Sequence, residues 1–408
     1  IVQWQKVLDD TRAKKNSIQG DVTALNAQIA KATAEIKQRN NTIATLASEI
    51  NEKTQQIGKL EDRIEQGRES LAKLLRQKHE SETQSLVVMA LSSDNLSAFF
   101  ADVNDIDAIN RDLQTWFNDI RSAKDETQKA KETLDQKKSQ EQDAQHEVQV
   151  KKTQVTKTQQ EKKTLLTATQ QEEKSYAQVL AERQKRAEAI RTALFDLRDS
   201  SGISFATALD YASFASQKTG VRASLILAIL SQESDLGKNI GSCLVTNIDT
   251  GDGAGKNTGT PYEKVMKAPR DTAPFLQVTS ALNLTWATTP VSCPLGKTYT
   301  SSRGYGGAMG PSQFIPSTWQ LFVPQLKAAL NVQTPNPWDP KDAVMATAIY
   351  MSQLGAAGGG YSAERNAACK YYSGRSCDSK TPSNTPYGNA VVQKADAFQA
   401  NIDFLKEN

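Results

Sequence analysis

Apolar residues recur every seven positions through the N-terminal part of the chain, at Val22, Ile29, Ile36, Ile43, Ile50, Ile57, Ile64 and Leu71. A second row keeps the same register at Ile18, Leu25, Ala32, Leu46, Leu60 and Leu74, interrupted by Arg39, Lys53 and Gly67. Two rows so spaced lie along one side of a helix and form a coiled-coil seam. From about 120 to 199 runs a second polar helix with a less regular seam, through Leu134, Val148, Val155, Leu166, Tyr176, Leu180, Ile190, Leu194 and Leu197. Two arms flanking a segment of different character predict an antiparallel hairpin, each arm about 100 Å long at about 1.5 Å per residue. A parallel dimer of long helices is the alternative.

The segment between the arms, at about 86–118, carries large clustered apolar residues: Leu86, Met89, Leu91, Leu96, Phe99, Phe100, Val103, Ile106, Ile109, Leu113, Trp116 and Phe117. These are too many for a two-helix seam. The break at Ser92-Ser93-Asp94-Asn95 is a turn and cap signal, so short helices are expected to fold as a small tip. So small a tip cannot bury all of this surface, which makes it a candidate knob for a partner.

After Asp199-Ser200-Ser201-Gly202 the pattern changes, and the chain reads as two domains, 1–200 and 201–408. Ser204 is placed to cap a helix running to about Lys218. The unbroken run Leu225–Leu230 predicts a helix buried on all sides, with Ser224 as its cap and Gly237 as its left-handed stop. Further helices are expected at Ala273 to about Ala287 and at Asp342–Leu354, the latter closed by Gly355. The stretch 238–300 shows little periodicity. Within it, Gly251-Asp252-Gly253-Ala254-Gly255 lacks the alternating carboxylates of a calcium loop and is expected to be a flexible loop.

Composition sharpens this division. All 13 Pro and all four Cys of the 408 residues fall after position 200, whereas the first half is rich in Lys, Gln, Glu, Thr and Ala. A net charge of +3 gives no pull toward nucleic acid, and two distant histidines, His79 and His146, exclude a His-based metal site. No cofactor or metal is implied. The cysteines lack zinc spacing and point to two disulfides in an extracytoplasmic setting, secreted, periplasmic or wall-associated. Cys369 with Cys377 and Cys243 with Cys293 is the preferred pairing, though sequence alone does not fix connectivity. No run is long enough to cross a membrane, and a start at Ile1 without a signal peptide fits a trimmed mature chain.

The chemistry centres on Glu233, which the buried helix carries to its C-terminal end. A carboxyl group there meets a low dielectric and the negative end of the helix dipole, and both hold its proton on, as a general acid requires. A surface glutamate in a fraying last turn is the bland alternative. Downstream, Gly306-Gly307-Ala308-Met309-Gly310-Pro311-Ser312-Gln313-Phe314-Ile315-Pro316-Ser317-Thr318-Trp319 combines glycines, which let backbone approach a bulky ligand, with two stiffening prolines.

Two resemblances follow from these residues. The layout of 1–200, with Leu91-Ser92-Ser93 and Phe99-Phe100 between two arms, resembles the coiled-coil regions of EnvC-like and PcsB-like cell-wall hydrolases and activators. That resemblance implies docking onto the extracellular part of the cell-division transporter FtsEX through the tip. Glu-Ser-x-x-Gly at 233–237, Gly-Ala-Met-Gly-Pro-x-Gln-Phe-Ile-Pro-Ser-Thr-Trp at 307–319 and Asn336-Pro337-Trp338-Asp339-Pro340 with Asp342-Ala343 resemble the lytic murein transglycosylases, nearest the membrane-bound B-type branch. This second resemblance covers about 205–405. It implies a lysozyme-like α-helical domain with long loops, so that the whole chain is expected to be all-α. It also implies peptidoglycan glycan strands as substrate and Glu233 as the catalytic residue. Gln313 matches the family's substrate-binding Gln, and Met309 lies in the same motif. Tyr372-Ser373-Gly374 stands where the family usually has Tyr-Asn-Gly, so Tyr372 carries over as the residue near the carboxyl group. Ser373 departs from that pattern. Ser234, Phe314, Tyr371 and Trp319 complete the expected substrate-binding set, with Trp319 and Tyr371 preferred over Trp286, Trp338 and Tyr305 for stacking on sugars.

The reaction so implied cuts the MurNAc-GlcNAc bond and leaves 1,6-anhydroMurNAc ends, restrained and activated through the coiled coil during division. An arm, or the segment from Leu194 to Gly202, is expected to cover the cleft until a partner removes it. A hydrolytic muramidase would need a second carboxylate, for which Asp235, Asp249, Asp252 and Asp271 are candidates. A non-catalytic glycan-binding domain and a structural wall scaffold are the remaining alternatives.

Overall fold

The structure is a computed structural model that describes residues 18–82, 96–169, 203–294, 304–378, 380 and 383–407, with isolated helical residues at 181, 184, 185, 188 and 189. It is mostly helical and divides into two compact units, Ile1–Glu161 and Lys162–Asn408. The expected boundary at 200/201 and the segment 194–202 lie outside the described residues.

In the first unit, α1 (Ile18–Glu82) and α2 (Leu96–Thr169) run antiparallel, as their ion pairs show. Lys151 meets Glu35 at 2.8 Å, Arg39 meets Glu147 at 2.5 Å, Lys137 meets Glu49 at 2.6 Å and Arg63 meets Asp119 at 3.0 Å. As the number rises on one helix it falls on the other, which is a hairpin within one chain rather than a parallel pair. Val22, Leu25, Ala32, Leu46, Ile57 and Leu60 of α1 are buried against Leu113, Ala123, Ala130, Leu134 and Val148 of α2. The break in the seam at Gly67 has a cause on the opposite helix. A Cβ there would lie 2.8 Å from Cγ1 of Ile120 and 3.5 Å from Trp116, so the absent side chain makes room for two large ones.

The expected tip is corrected in part. Residues 96–118 are not separate short helices; they begin α2, which contains neither Gly nor Pro from Leu96 to Thr169 and so meets no helix breaker. The remainder of the tip, 83–95, and the second arm at 170–180 lie outside the described residues.

In the second unit, α3 (Phe205–Thr219) is capped, as the sequence predicts, by the Ser204 hydroxyl, which accepts from Thr207 N at 3.2 Å, and it stops at left-handed Gly220. Next comes α4 (Ala223–Ser234), in which Leu225, Ile226, Leu227, Ala228, Ile229 and Leu230 are all fully buried. Burying each of the larger side chains contributes about 2 kcal/mol, which makes α4 the axis of the domain. Its cap differs from expectation. Arg222 is the N-cap, and Ser224 is buried inside the first turn with its hydroxyl unpartnered. The Arg222 guanidinium reaches buried Glu364 at 2.7 Å and Asp396 at 3.0 Å, fixing this end of α4.

The stretch after 238 is not a loose loop. Strands β1 (Cys243–Val245), β2 (Gly253–Gly255) and β3 (Pro261–Tyr262) form an antiparallel sheet in that order, so the helical domain carries a small β-element. The Gly251–Gly255 run supplies β2, because glycine lets the strand press against the Leu244 carbonyl beneath Gly253. The Cys243–Cys293 disulfide ties β1 to the chain beyond.

Then follow α5 (Thr272–Ala281), α6 (Pro316–Leu330), α7 (Pro340–Met351), α8 (Tyr361–Ser373) and α9 (Thr385–Glu407). Helix α5 ends short of the expected Ala287, and a separate single turn forms at Trp286–Thr288. Helix α7 starts at Pro340 on the Asp339 cap and gives way to a wider turn at Ser352–Ala356, where Gly355 has φ 101°. Helices α3, α7 and α9 pack around α4, and α8 packs against α9.

Candidate active site

The C-terminal end of α4 is where the site begins. Asp235, not Gly237, is the left-handed cap, and Asp235, Leu236 and Gly237 all hold positive φ, at 51°, 56° and 84°. Leu236 N donates back to Leu230 O at 3.2 Å, closing the helix. A buried leucine in this conformation is uncommon and carries local strain, which persists only where the surroundings hold it. Ser234 supplies that hold. Its hydroxyl donates to Pro311 O at 2.6 Å and accepts from Gly237 N at 2.8 Å.

Pro311 belongs to a tight turn made by the glycine-rich motif. Met309 N donates to Phe314 O at 2.9 Å, and the four residues between them form the turn. Gly310 has φ 61°, and any Cβ there would collide with the Pro337 carbonyl, so Asn336-Pro337-Trp338 seats the turn from below. The first three carbonyls of the turn have donors. Gly310 O accepts from Gln313 Nε2 at 2.8 Å, Pro311 O from Ser234, and Ser312 O from the Tyr371 hydroxyl at 2.7 Å. The Ser312 hydroxyl donates to Ala343 O and accepts from Thr347, both at 2.7 Å. The turn is thereby fastened to α4, α7 and α8 together.

Glu233 stands beside this assembly, mostly buried. Burial pushes its carboxyl above the ordinary carboxylate value, and a hydrogen bond donated by the Tyr387 hydroxyl to Oε1 works in the opposite direction. Tyr387 comes from the first turns of α9. Its phenol is driven well above the ordinary value by burial first and then by the Glu233 carboxylate. Tyr371 is raised likewise, by burial and then by the same carboxylate. Two phenols that stay protonated therefore flank one carboxyl group whose acid form burial favours. Tyr387 stacks on Tyr372 with ring centroids 4.8 Å apart and planes 18° apart, and Tyr372 is about half exposed.

The expected residues divide accordingly. Tyr371 faces Glu233, whereas Tyr372, expected beside the carboxyl group, reaches it only through Tyr387, which takes that place. Gln313 lies in the neighbouring turn, partly exposed at φ 52°. Four others lie beneath the surface rather than in it. Ser234 is 2% exposed with internal partners only, so it is a strut and not a ligand contact. Met309 is fully buried, and Phe314 packs among Trp319, Phe322, Tyr350 and Tyr371. Trp319, preferred for stacking, is 1% exposed and has no face for a sugar. Periodicity within α6 points it to the core, alongside Phe322 and Leu326. Trp338 is likewise committed, donating from Nε1 to Pro290 O at 3.1 Å. Tyr305 is exposed under Lys267, and Trp286 is half-buried.

Tyr387 is the residue that sequence reasoning missed. Its only local signal is Pro386-Tyr387-Gly388 at a helix start. It reaches Glu233 because a loop closed by the Cys369–Cys377 disulfide folds α9 back along α4. The candidate second carboxylates are engaged elsewhere or exposed. Asp271 is buried, pairs with Arg270 and accepts from Ser317 at the start of α6. Asp252 accepts from Thr250 and Lys264 N, Asp235 pairs with Lys238, and Asp249 is exposed. Among the described residues no group of His, Cys, Asp and Glu is arranged to hold a metal ion.

No protein-family model matches the chain, and no curated protein is similar to it. Among solved structures it is similar to a lytic transglycosylase of Escherichia coli in complex with calcium, at TM-score 0.32 and 16% identity over 55% of this chain and 79% of that one. It is also similar to a 36 kDa muramidase/transglycosylase, at TM-score 0.26 and 18% identity over 43% of this chain and 48% of that one. A soluble lytic transglycosylase of Pseudomonas aeruginosa matches at TM-score 0.25 and 20% identity, over 41% and 50%. The chain thus spans about half the length of two of these three proteins.

Proposed function

We propose that residues 201–408 form a peptidoglycan lytic transglycosylase domain that cleaves the MurNAc-GlcNAc bond and leaves 1,6-anhydroMurNAc ends. The observation that carries this reading is the Glu233 carboxyl group, shifted by burial toward its acid form and oriented by Tyr387 beside a turn fixed from three helices. Tyr387 engages Oε1, which leaves Oε2 to carry the transferable proton. That proton goes to the glycosidic oxygen as the bond to C1 of the muramyl ring breaks, and the GlcNAc 4-hydroxyl leaves. The muramyl acetamido group helps to hold the cationic ring. Glu233, now a carboxylate, removes the proton of the same sugar's 6-hydroxyl, whose oxygen closes on C1. Every atom of the attacking group is already in the substrate, so no second carboxylate and no water is required, and intramolecular attack gains a large proximity advantage. The engagement of Asp235, Asp252 and Asp271 elsewhere favours this route over hydrolysis.

Mass spectrometry of fragments released from purified wall material tests the reading. Anhydro ends support it, reducing ends mean a muramidase, and unchanged material means a glycan-binding domain. Glu233→Gln keeps shape and removes acidity, and it is expected to lower release by at least about a hundredfold.

The finer reading, restraint by the hairpin and activation during division through the extracellular part of FtsEX, rests on the resemblance of residues 1–200. The assignment of the protein to an extracytoplasmic compartment rests instead on the two disulfides. A pull-down of that transporter segment with the full chain, repeated with Phe117→Ser, tests the docking. Loss of capture in the variant supports it, and absence of capture by the parent removes it.

A further inference from the structure

Tyr387 is delivered to Glu233 by a short excursion of the chain between α8 and α9, and the excursion is knotted. Asn384 sits at its centre, fully buried. Its Nδ2 lies 2.7 Å from Ser373 Oγ and 3.0 Å from both Arg375 O and Ser376 O, while its Oδ1 accepts from Asp378 N at 2.8 Å. Asn366 on α8 accepts from Cys377 N at 3.2 Å. The Cys369–Cys377 disulfide closes the same excursion onto α8, with Cys369 fully buried. Gly388, next to Tyr387, rests directly on that disulfide. A Cβ at Gly388 would collide with Cys369 Sγ and lie 3.2 Å from Cys377 Sγ. The disulfide is therefore the floor on which the first turn of α9 lies, and the residue preceding Gly388 is the one that holds Glu233.

We propose that the Cys369–Cys377 disulfide and Asn384 act as a positioning lock for Tyr387, setting its hydroxyl on Glu233 and so setting the acid strength of that carboxyl group. The cysteines and Asn384 touch neither substrate nor reacting atoms; they act through Tyr387. The groups facing Glu233 are few. Tyr387 comes from α9 and Tyr371 from α8, with Tyr372 reached through Tyr387, while Asp235 beyond the end of α4 is exposed and paired with Lys238. Opening the lock removes the Tyr387 hydrogen bond, which favours the Glu233 anion, so the carboxyl group holds its proton to higher pH. Reducing conditions then leave a domain whose acid is in place but weaker, because the anion formed on proton donation has lost the Tyr387 hydroxyl that stabilises it.

The consequence for turnover rests on the transglycosylase reading, whereas the titration of Glu233 does not. Carbon-detected NMR of the full chain labelled at glutamate carboxyls reads the titration directly, with the Glu233 signal assigned by its loss in Glu233→Gln. Tyr387→Phe is expected to move the Glu233 midpoint upward, Cys369→Ala with Cys377→Ala to move it by the same amount, and the three changes together to move it no further. Gly388→Ala, whose methyl group meets the sulfur atoms, is expected to give the same upward shift in the oxidised protein and to add nothing further in the double-alanine background, where the lock is already open. Circular dichroism confirms that each variant folds. An unchanged Glu233 midpoint in the folded disulfide variant, with a shifted one in Tyr387→Phe, overturns the lock. If the midpoints behave as stated but no variant cuts glycan, the lock stands and the enzymatic reading fails.

Discussion

Glu233 and Ser234 are adjacent in the chain and do opposite things. Glu233 loses hydration on folding, so its folded-state value lies above its unfolded one. Over that window the folded protein keeps a proton that the unfolded chain has lost. Stability present at acid pH accordingly declines as pH rises through the window, and above it the full cost of the buried anion is felt. Glu233→Gln should melt higher than the parent at pH 7, with the difference vanishing below about pH 4. A gap that persists at acid pH would argue against a buried ionisable group. On the proposed transglycosylase reading, in which the acid form of Glu233 begins the reaction, the rate of glycan cleavage should fall along the same alkaline limb. Ser234 contributes structure instead. Ser234→Ala leaves Pro311 O and Gly237 N without their partner and should cost about 1–3 kcal/mol in denaturant unfolding.

At the scale of elements, the first long helix was legible through its strict seven-residue repeat and the buried helix through its unbroken apolar run, whereas the less regular second arm was read without its start at Leu96. The heptad rows become the buried seam, and the run Leu225–Leu230 becomes the axis of the second unit. What sequence reading misplaced are residues whose partners are distant in the chain. Ser224 has the chemistry of a cap, but Arg222 takes that position because Glu364 and Asp396 hold it there. Trp319 reads as a sugar platform by residue type, whereas its place on α6 turns it inward. Glycines of 251–255 read as flexibility and instead satisfy a strand pressed against a neighbour. Tyr387 was invisible for the same reason: its partner is 154 positions away. The arm register is open to test through its ion pairs. Exposed pairs contribute about 0–1 kcal/mol each, so they select alignment more than they stabilise it. Glu35→Lys or Lys151→Glu alone should lower the thermal midpoint of the hairpin, and the double exchange should restore it. No recovery in the double exchange would disprove the assigned register.

Across the whole molecule, the disulfides occupy one unit and the coiled-coil seam the other. In the chain-entropy view the Cys243–Cys293 link, with a sequence separation of 50, stabilises by about 4 kcal/mol, and the link of separation 8 by about 2–3 kcal/mol. Reduction should therefore lower one calorimetric transition steeply and leave the hairpin's transition in place. A single transition that moves as a whole would show the units to be coupled in folding.

The notch at Gly67 bears on how the long arms behave under load. A perfect seven-residue repeat looks the same after each step, so two such helices can slip past one another by one repeat at little cost. Here Ile120 and Trp116 fill the gap left by a missing side chain, and a slip would drive them against ordinary side chains on α1. A force applied at one end of the hairpin is thus transmitted as the push or swing of a stiff rod, not as shear between sliding strands.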